Sequence, residues 1–213
     1  MSRIVWIFDL DNTLHNAVPH IFPHINRSMT TYLQQHLKLD EQTANELRMR
    51  YWQRYGATLS GMMQHHTTDP DHFLWHTHQF PQLPQMVLCE PRLRHILKKL
   101  PGKKLVFSNA PQHYAHAVLQ LLCIGDLFDD VFAIEHMRYQ PKPGLAGFMR
   151  LLRKHHLNPA RCVMVEDSAE NLQAAKRLGM RTVWVNTASR LPAYVDVKIR
   201  DVMKLPRILS QLN

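Results

Sequence analysis

The sequence predicts an α/β fold: a Rossmann-like parallel sheet flanked by helices, with a helical cap inserted after the first strand. Three observations carry this. Short apolar runs rich in Val, Ile and Phe recur at 4–8, 105–107, 131–134, 162–165 and 182–185, the pattern of strands buried on both faces. Amphipathic segments separate the later runs, at 90–100, 112–124, 143–157 and 168–178. Such alternation gives a parallel sheet with right-handed crossovers. The zone 16–88 breaks the rhythm. It has no strand pattern and is rich in His, Gln, Met, Tyr and Trp.

The expected organisation is a core made of 1–15 and 89–213, with a cap of 16–88. The first run, Ile4-Val5-Trp6-Ile7-Phe8, ends at Asp9. Helical spacing then appears in Ile21/Ile25/Met29/Tyr32/Leu33 and in Ala44/Leu47/Tyr51. Pro81, Pro84 and Pro91 bracket the exit from this zone. An insertion there would lie above the carboxyl ends of the strands, where open α/β sheets bind ligands, and so is a candidate lid. The segment 90–100 carries Arg92, Arg94, Lys98 and Lys99, read as a solvated face. In 143–157, Phe148, Leu151, Leu152 and His155 share a face, and Pro143 suits a first helical turn. In 168–178, Leu172, Ala175 and Leu178 share a face, and Gly179 stands where a C-terminal cap belongs.

Composition narrows the function classes. The chain has 213 residues, enough for a substantial core plus a smaller appendage. Its first apolar run is too short for a signal-peptide core or a membrane span, so a cytoplasmic protein is expected. Cys89, Cys123 and Cys162 form no CxxC pair. A disulfide framework or zinc ribbon is therefore not indicated, and all three are read as small buried apolar residues. The net charge of +9, from 26 Lys and Arg against 17 Asp and Glu, is scattered. No nucleic-acid partner is expected, and a positive field suits anionic substrates. Of the 15 histidines, His72 and His76 have the i, i+4 spacing of a helical zinc pair, but no Glu follows His72 and no third ligand is evident.

Four short pieces fall at or beyond predicted strand ends. Asp9-Leu10-Asp11-Asn12-Thr13 offers one carboxylate that can attack phosphorus and a second that can exchange protons with the leaving oxygen and with water; an Asx-type turn would use the same residues. Ser108-Asn109 can hold phosphoryl oxygens or serve as turn chemistry. Lys142, between Pro141 and Pro143, has its backbone fixed on both sides and can direct an ammonium into a site or into solvent. Glu166-Asp167-Ser168 supplies carboxylates at a buried strand end, costly unless they meet a cation or donors. With Asp9 they offer hard oxygen ligands for Mg²⁺, while Asp167 could equally cap the next helix, with Glu170 three residues on. Together the pieces supply a nucleophile, an acid/base, anion holders, a cation and metal ligands.

In this order the four pieces resemble the four motifs of the haloacid-dehalogenase-like hydrolase superfamily. The resemblance implies that Asp9 is the nucleophile. It makes Asp11 the general acid/base, offering its backbone carbonyl to Mg²⁺. Ser108 or Asn109 would hold the phosphoryl group with Lys142. Asp167 would be a metal ligand, with Glu166 coordinating directly or through water, and the helical zone would be the family's cap. Dehalogenases of the superfamily lack an aspartate at the position of Asp11, so its presence favours phosphoryl transfer to water. Asn12 stands where many relatives have glycine.

A narrower resemblance covers Tyr51-Trp52-Gln53-Arg54-Tyr55-Gly56-Ala57-Thr58-Leu59-Ser60-Gly61-Met62, together with His116-Ala117, Gly125-Asp126-Leu127-Phe128-Asp129 and Glu166-Asp167-Ser168-Ala169-Glu170-Asn171-Leu172. These are similar to segments of pyrimidine 5'-nucleotidase-like members. The implied substrate is a small phosphorylated molecule, a nucleoside monophosphate such as UMP or CMP. Tyr55 or Gly56 is expected to contact it, and His116 to face the mouth of the site. The rival readings are a sugar-phosphate or pyridoxal-phosphate phosphatase, a phosphomutase, and a non-catalytic binding module.

Overall fold

The computed structural model describes residues 4–212; positions 1–3 and 213 of the expected core lie outside the described residues. Six strands form one sheet: β1 Val5–Phe8, β2 Lys103–Phe107, β3 Asp130–Phe132, β4 Cys162–Glu166, β5 Arg181–Val185 and β6 Val197–Ile199. Their order is β3-β2-β1-β4-β5-β6, and every pairing is parallel. The chain steps outward from β1 through β2 to β3, then returns to β4 on the other side of β1. That reversal lies between β1 and β4, the position at which open α/β sheets form a crevice beyond the strand ends.

β1 is held in register from both sides, with Phe8 opposite Val106 on β2 and Val165 on β4. Its side chains alternate between two apolar clusters: Trp6 and Phe8 enter one, and Ile7 enters the other. All three are fully buried, each contributing roughly 2–3 kcal/mol of burial. Helices α6 Leu93–Lys99, α7 Gln112–Leu121, α8 Leu145–Lys154 and α9 Ala169–Arg177 connect the strands. Phe148 and Leu151 of α8 and Leu172 and Ala175 of α9 are buried against the sheet.

The inserted zone is helical: α1 Ile21–Leu37, α2 Glu41–Tyr55, α3 Thr58–His66, α4 Pro70–His78 and the short α5 Leu83–Met86. Its ends follow local chemistry. Asp40 accepts the Thr43 N–H at 3.0 Å to cap α2, and Asp69 caps α4 with Pro70 in the first turn. Gly56 ends α2 at φ +77°, a left-handed conformation that glycine adopts freely. At Gly61 a Cβ atom would overlap the Tyr51 ring, so its missing side chain lets α3 pack directly on α2.

Several local expectations change. β6 and the 3₁₀ segment Val202–Leu212 carry no strong sequence signal. β6 is only three residues long, and its approach is fixed by Asp196, which accepts the Thr182 N–H at 2.8 Å. Helix α7 ends at Leu121, not 124, because Cys123 takes φ +55°. Pro143 precedes its helix: the Lys142–Pro143 peptide is cis, Gly144 is the cap and α8 begins at Leu145. Only Cys162 is buried, whereas Cys89 and Cys123 are exposed free thiols. No helix among the described residues is long and apolar enough to cross a membrane.

Candidate active site

Asp9 follows β1 directly, and its N–H still donates to Val165 O of β4 at 3.0 Å. The side chain therefore projects at the centre of the sheet's carboxyl edge. The next turn reverses quickly because Asn12 takes φ +62°. Asn enters this region more readily than most residues, which accounts for its standing in a glycine position, and its Oδ1 accepts the Ala17 N–H at 3.1 Å.

Lys142 is 3 % exposed, so the solvent-facing alternative falls. Its ammonium donates to Asp9 Oδ1 at 2.7 Å, Glu166 Oε2 at 2.8 Å and the Phe107 carbonyl at 2.8 Å. Burial alone would disfavour the charge, but Asp9 and Glu166 outweigh it and raise the pKa above the ordinary lysine value. Asn109 anchors this segment from β2's end: its Oδ1 accepts the Lys142 N–H at 2.8 Å and its Nδ2 donates to the Lys142 carbonyl at 3.1 Å. Both ends of the amide are thereby occupied, so Asn109 positions Lys142. Ser108 is buried; its Oγ accepts the Ala110 N–H at 3.1 Å, leaving the hydroxyl proton to donate elsewhere.

Glu166 ends β4 in a shell of donors. Oε2 takes Lys142 and, at 3.0 Å, the Asn171 amide; Oε1 takes the N–H groups of Asp167 at 3.1 Å and Ser168 at 3.2 Å. Helix α9 is capped by Ser168, which accepts the Asn171 N–H, so the capping role proposed for Asp167 is taken by its neighbour. Burial first, then Glu166, pushes the Asp167 carboxyl up to about 7. The same two causes raise Asp9, against the opposing pull of Lys142.

One carboxylate oxygen from each of Asp9, Glu166 and Asp167 lies within 4.8 Å of the others, all three forming the acidic group capable of holding a metal among the described residues. Three carboxylates face one ammonium, a deficit of two positive charges, the charge of one divalent cation. All-oxygen donors of this kind suit Mg²⁺. Because Glu166 already accepts four hydrogen bonds, Asp9 and Asp167 have the more available oxygens. The histidine alternative does not assemble: His72 Nδ1 pairs with the Tyr32 hydroxyl at 2.9 Å, and no third ligand joins His72 and His76 among the described residues.

Asp9, Asp11, Ser108, Asn109, Lys142, Glu166 and Asp167 border one cavity of about 550 Å³, with Gly56 on its cap side. Tyr55 does not line it. As the last residue of α2, it turns toward α3, where its hydroxyl meets His65 Nε2 at 2.6 Å, and it borders an adjoining groove. His116 is likewise displaced, to a groove with Arg94 and Asp126. Sequence reasoning missed Asn171, whose signal was its place one turn into the helix after Glu166. It also missed the cap residues Phe22, Met29, Arg48 and Trp52 that line the cavity. Nothing in their spacing separated them from packing residues. Arg48 is oriented by Asn26 at 2.9 Å and by Asn45 at 2.9 and 3.2 Å. Tyr139, next to the Lys142 segment, donates to Asp71 of the cap at 2.6 Å.

Comparison with known proteins gives the same direction. A family model described as haloacid dehalogenase-like hydrolase matches residues 6–185. The chain is 26% identical over 194 residues to phosphate metabolism protein 8 of Saccharomyces cerevisiae, covering 84% of this chain and 60% of that protein. It therefore spans less than two thirds of the yeast relative. It is 24% identical over 196 residues to a phosphoglycolate phosphatase of Pseudomonas putida, covering 86% of this chain and 69% of the relative. A HAD phosphatase from Thermococcus onnurineus shares the fold at a TM-score of 0.71 and 21% identity, with 98% of each chain covered.

Proposed function

The chain belongs to the haloacid dehalogenase-like hydrolase family, and from that premise we propose that it is a cytoplasmic Mg²⁺-dependent phosphatase that hydrolyses small phosphate monoesters through an aspartyl-phosphate on Asp9. The observation that carries this reading is the buried Asp9–Lys142–Glu166 ion network at the sheet's carboxyl edge, with Asp11 and Asp167 bordering the same cavity. The phosphatase relatives support the reaction class.

Lys142 occupies Asp9 Oδ1, so Oδ2 is the oxygen free to attack phosphorus. As the new O–P bond forms, the bond to the leaving oxygen breaks, and Asp11 supplies the proton that makes it an alcohol. Asp11 then takes a proton from water, which attacks the acyl phosphate and releases inorganic phosphate and free Asp9. The Lys142 ammonium and the Ser108 hydroxyl stabilise the phosphoryl oxygens. Mg²⁺, held by Asp9, Asp167 and the Asp11 carbonyl, would offset phosphoryl negative charge. The cap limits water while the ester reacts.

For the leaving group we infer a nucleoside, the substrate being a pyrimidine nucleoside 5'-monophosphate. Support comes from the resemblance across residues 51–62 and from the cap wall, where Trp52 and Phe22 offer aromatic surface and Arg48 a fixed donor fork. The test is a phosphate-release screen over nucleotides, sugar phosphates and pyridoxal phosphate with Mg²⁺. UMP or CMP is expected to lead, and Asp9→Asn to abolish release. Release from no ester would sink the reaction class. Preference for a sugar phosphate would sink only the nucleotide, and isomerised sugar phosphate without release would indicate a mutase.

A further inference from the structure

Asp11 is gripped on one oxygen by two donors from different parts of the chain. Its Oδ1 accepts the Tyr114 hydroxyl at 2.7 Å and lies 2.8 Å from His15 Nε2. Tyr114 comes from α7 and is 1 % exposed, and the His15 side chain is fully buried. Neither residue lines the cavity, whereas Asp11 does.

The histidine's tautomer follows from its surroundings. His15 Nδ1 is buried without a partner. A proton on Nε2 satisfies the carboxylate and leaves only a lone pair unmet at Nδ1. A proton on Nδ1 would instead strand a buried donor and set two acceptors against each other. Tyr114 and His15 therefore both donate to Oδ1. Oδ2 has no hydrogen-bond partner among the described residues and is the oxygen left for chemistry.

We propose that Tyr114 and His15 are positioning residues that fix the Asp11 carboxyl by clamping Oδ1, so that Oδ2 is presented to the leaving-group oxygen. The inference rests on the reading of Asp11 as acid/base. Two donors at right of way over one oxygen remove the carboxyl's rotation, and proton transfer requires a donor held within hydrogen-bond reach.

The test uses Tyr114→Phe, which deletes one hydroxyl and keeps the ring. The readout is kcat/KM with Mg²⁺ on two esters, because kcat/KM reports only steps through departure of the leaving group. UMP has a poor alkoxide leaving group that needs a proton; p-nitrophenyl phosphate has a phenolate that leaves without one. The expected result is a loss of about 10- to 100-fold on UMP and less than about 3-fold on the aryl ester. Equal losses on both esters, or no loss on either, would overturn the proposal, since general loosening of the site does not distinguish leaving groups. If Tyr114→Phe fails to fold, His15→Leu carries the same comparison with the same expected selectivity. If UMP is not turned over, the alkyl phosphate that leads the release screen takes its place in the comparison; release from no ester in that screen would overturn the phosphatase reading itself, and this inference with it.

Discussion

Asp167→Asn offers a sharp test of the proposed metal site, because a carboxylate held there for a cation should destabilise the protein when no cation is bound. In the folded chain the Asp167 carboxyl is pushed from its ordinary 3.8 up to about 7 by burial and by Glu166. The folded state thus holds a proton that the unfolded state has lost, and stability falls as pH rises from about 4 to about 7. Above pH 7 the full cost of ionising the group is present. A rise from 3.8 to about 7 corresponds to at most about 4 kcal/mol, and allowing for solvent screening of a partly exposed carboxyl leaves about 2 kcal/mol. Asn is nearly isosteric and cannot ionise. At pH 8 in EDTA the variant should therefore melt about 4–8 °C higher than the parent, and this gap should narrow at pH 6. Adding millimolar Mg²⁺ should reverse the ranking, raising the parent's melting temperature by binding the folded state while moving the variant little. The assay is thermal unfolding under these conditions. A variant that melts lower in EDTA, or that gains as much from Mg²⁺ as the parent, would refute both the electrostatic accounting and Asp167 as a ligand.

Asp9→Asn should behave similarly in EDTA, melting no lower than the parent, since its carboxyl is also raised by burial and Glu166; turnover should fall by at least about 10⁴-fold, read by phosphate release. Gly61→Leu should cost about 1–3 kcal/mol by forcing a side chain into the Tyr51 ring, measured by denaturant unfolding at constant slope. His78 is buried between Thr77 and Tyr114, and burial and His113 lower its pKa to about 4 against the pull of Asp11. Its stabilisation is complete above about pH 6.5 and lost as pH falls toward 4, by up to about 3 kcal/mol. His78→Gln should flatten that limb of the stability–pH curve, and an unchanged limb would reject the assignment.

Five of the six strands were legible because buried parallel strands leave a clear trace: continuous runs such as 4–8 and 162–165, each followed by a residue with reason to be at the edge; the short β6 left none. The position of the carboxylates at the sheet's carboxyl edge was legible for the same reason, since a charged residue directly after such a run has no place in a core. What failed depended on side-chain direction. Tyr55 and Trp52 belong to the same helix, three residues apart, yet one borders the adjoining groove and the other the cavity; aromatic spacing alone does not tell them apart. Asp167 and Ser168 are adjacent and both able to cap a helix, and only the backbone of α9 decides between them. Tyr114 and His15 were invisible because their partner lies 103 residues from the first and because a buried tyrosine or histidine looks like packing. Arg48 reads as an exposed helical arginine until Asn26, 22 residues earlier, is brought beside it.

The register of β1 bears on how this protein can change over evolutionary time. Trp6 and Phe8 fill one side of the sheet and Ile7 the other, so a slip by one position would exchange the two sets and empty both. Drift in alignment is thus lethal to folding before it can affect Asp9. A point replacement of Asp9 itself carries no such toll, because that side chain is unwelcome in the fold for electrostatic reasons. With Asp9 as the proposed nucleophile, lineages descended from this gene could lose activity in a single substitution and keep a sound architecture, which makes silent, folded descendants an accessible outcome and leaves Asp9 guarded by selection for turnover alone.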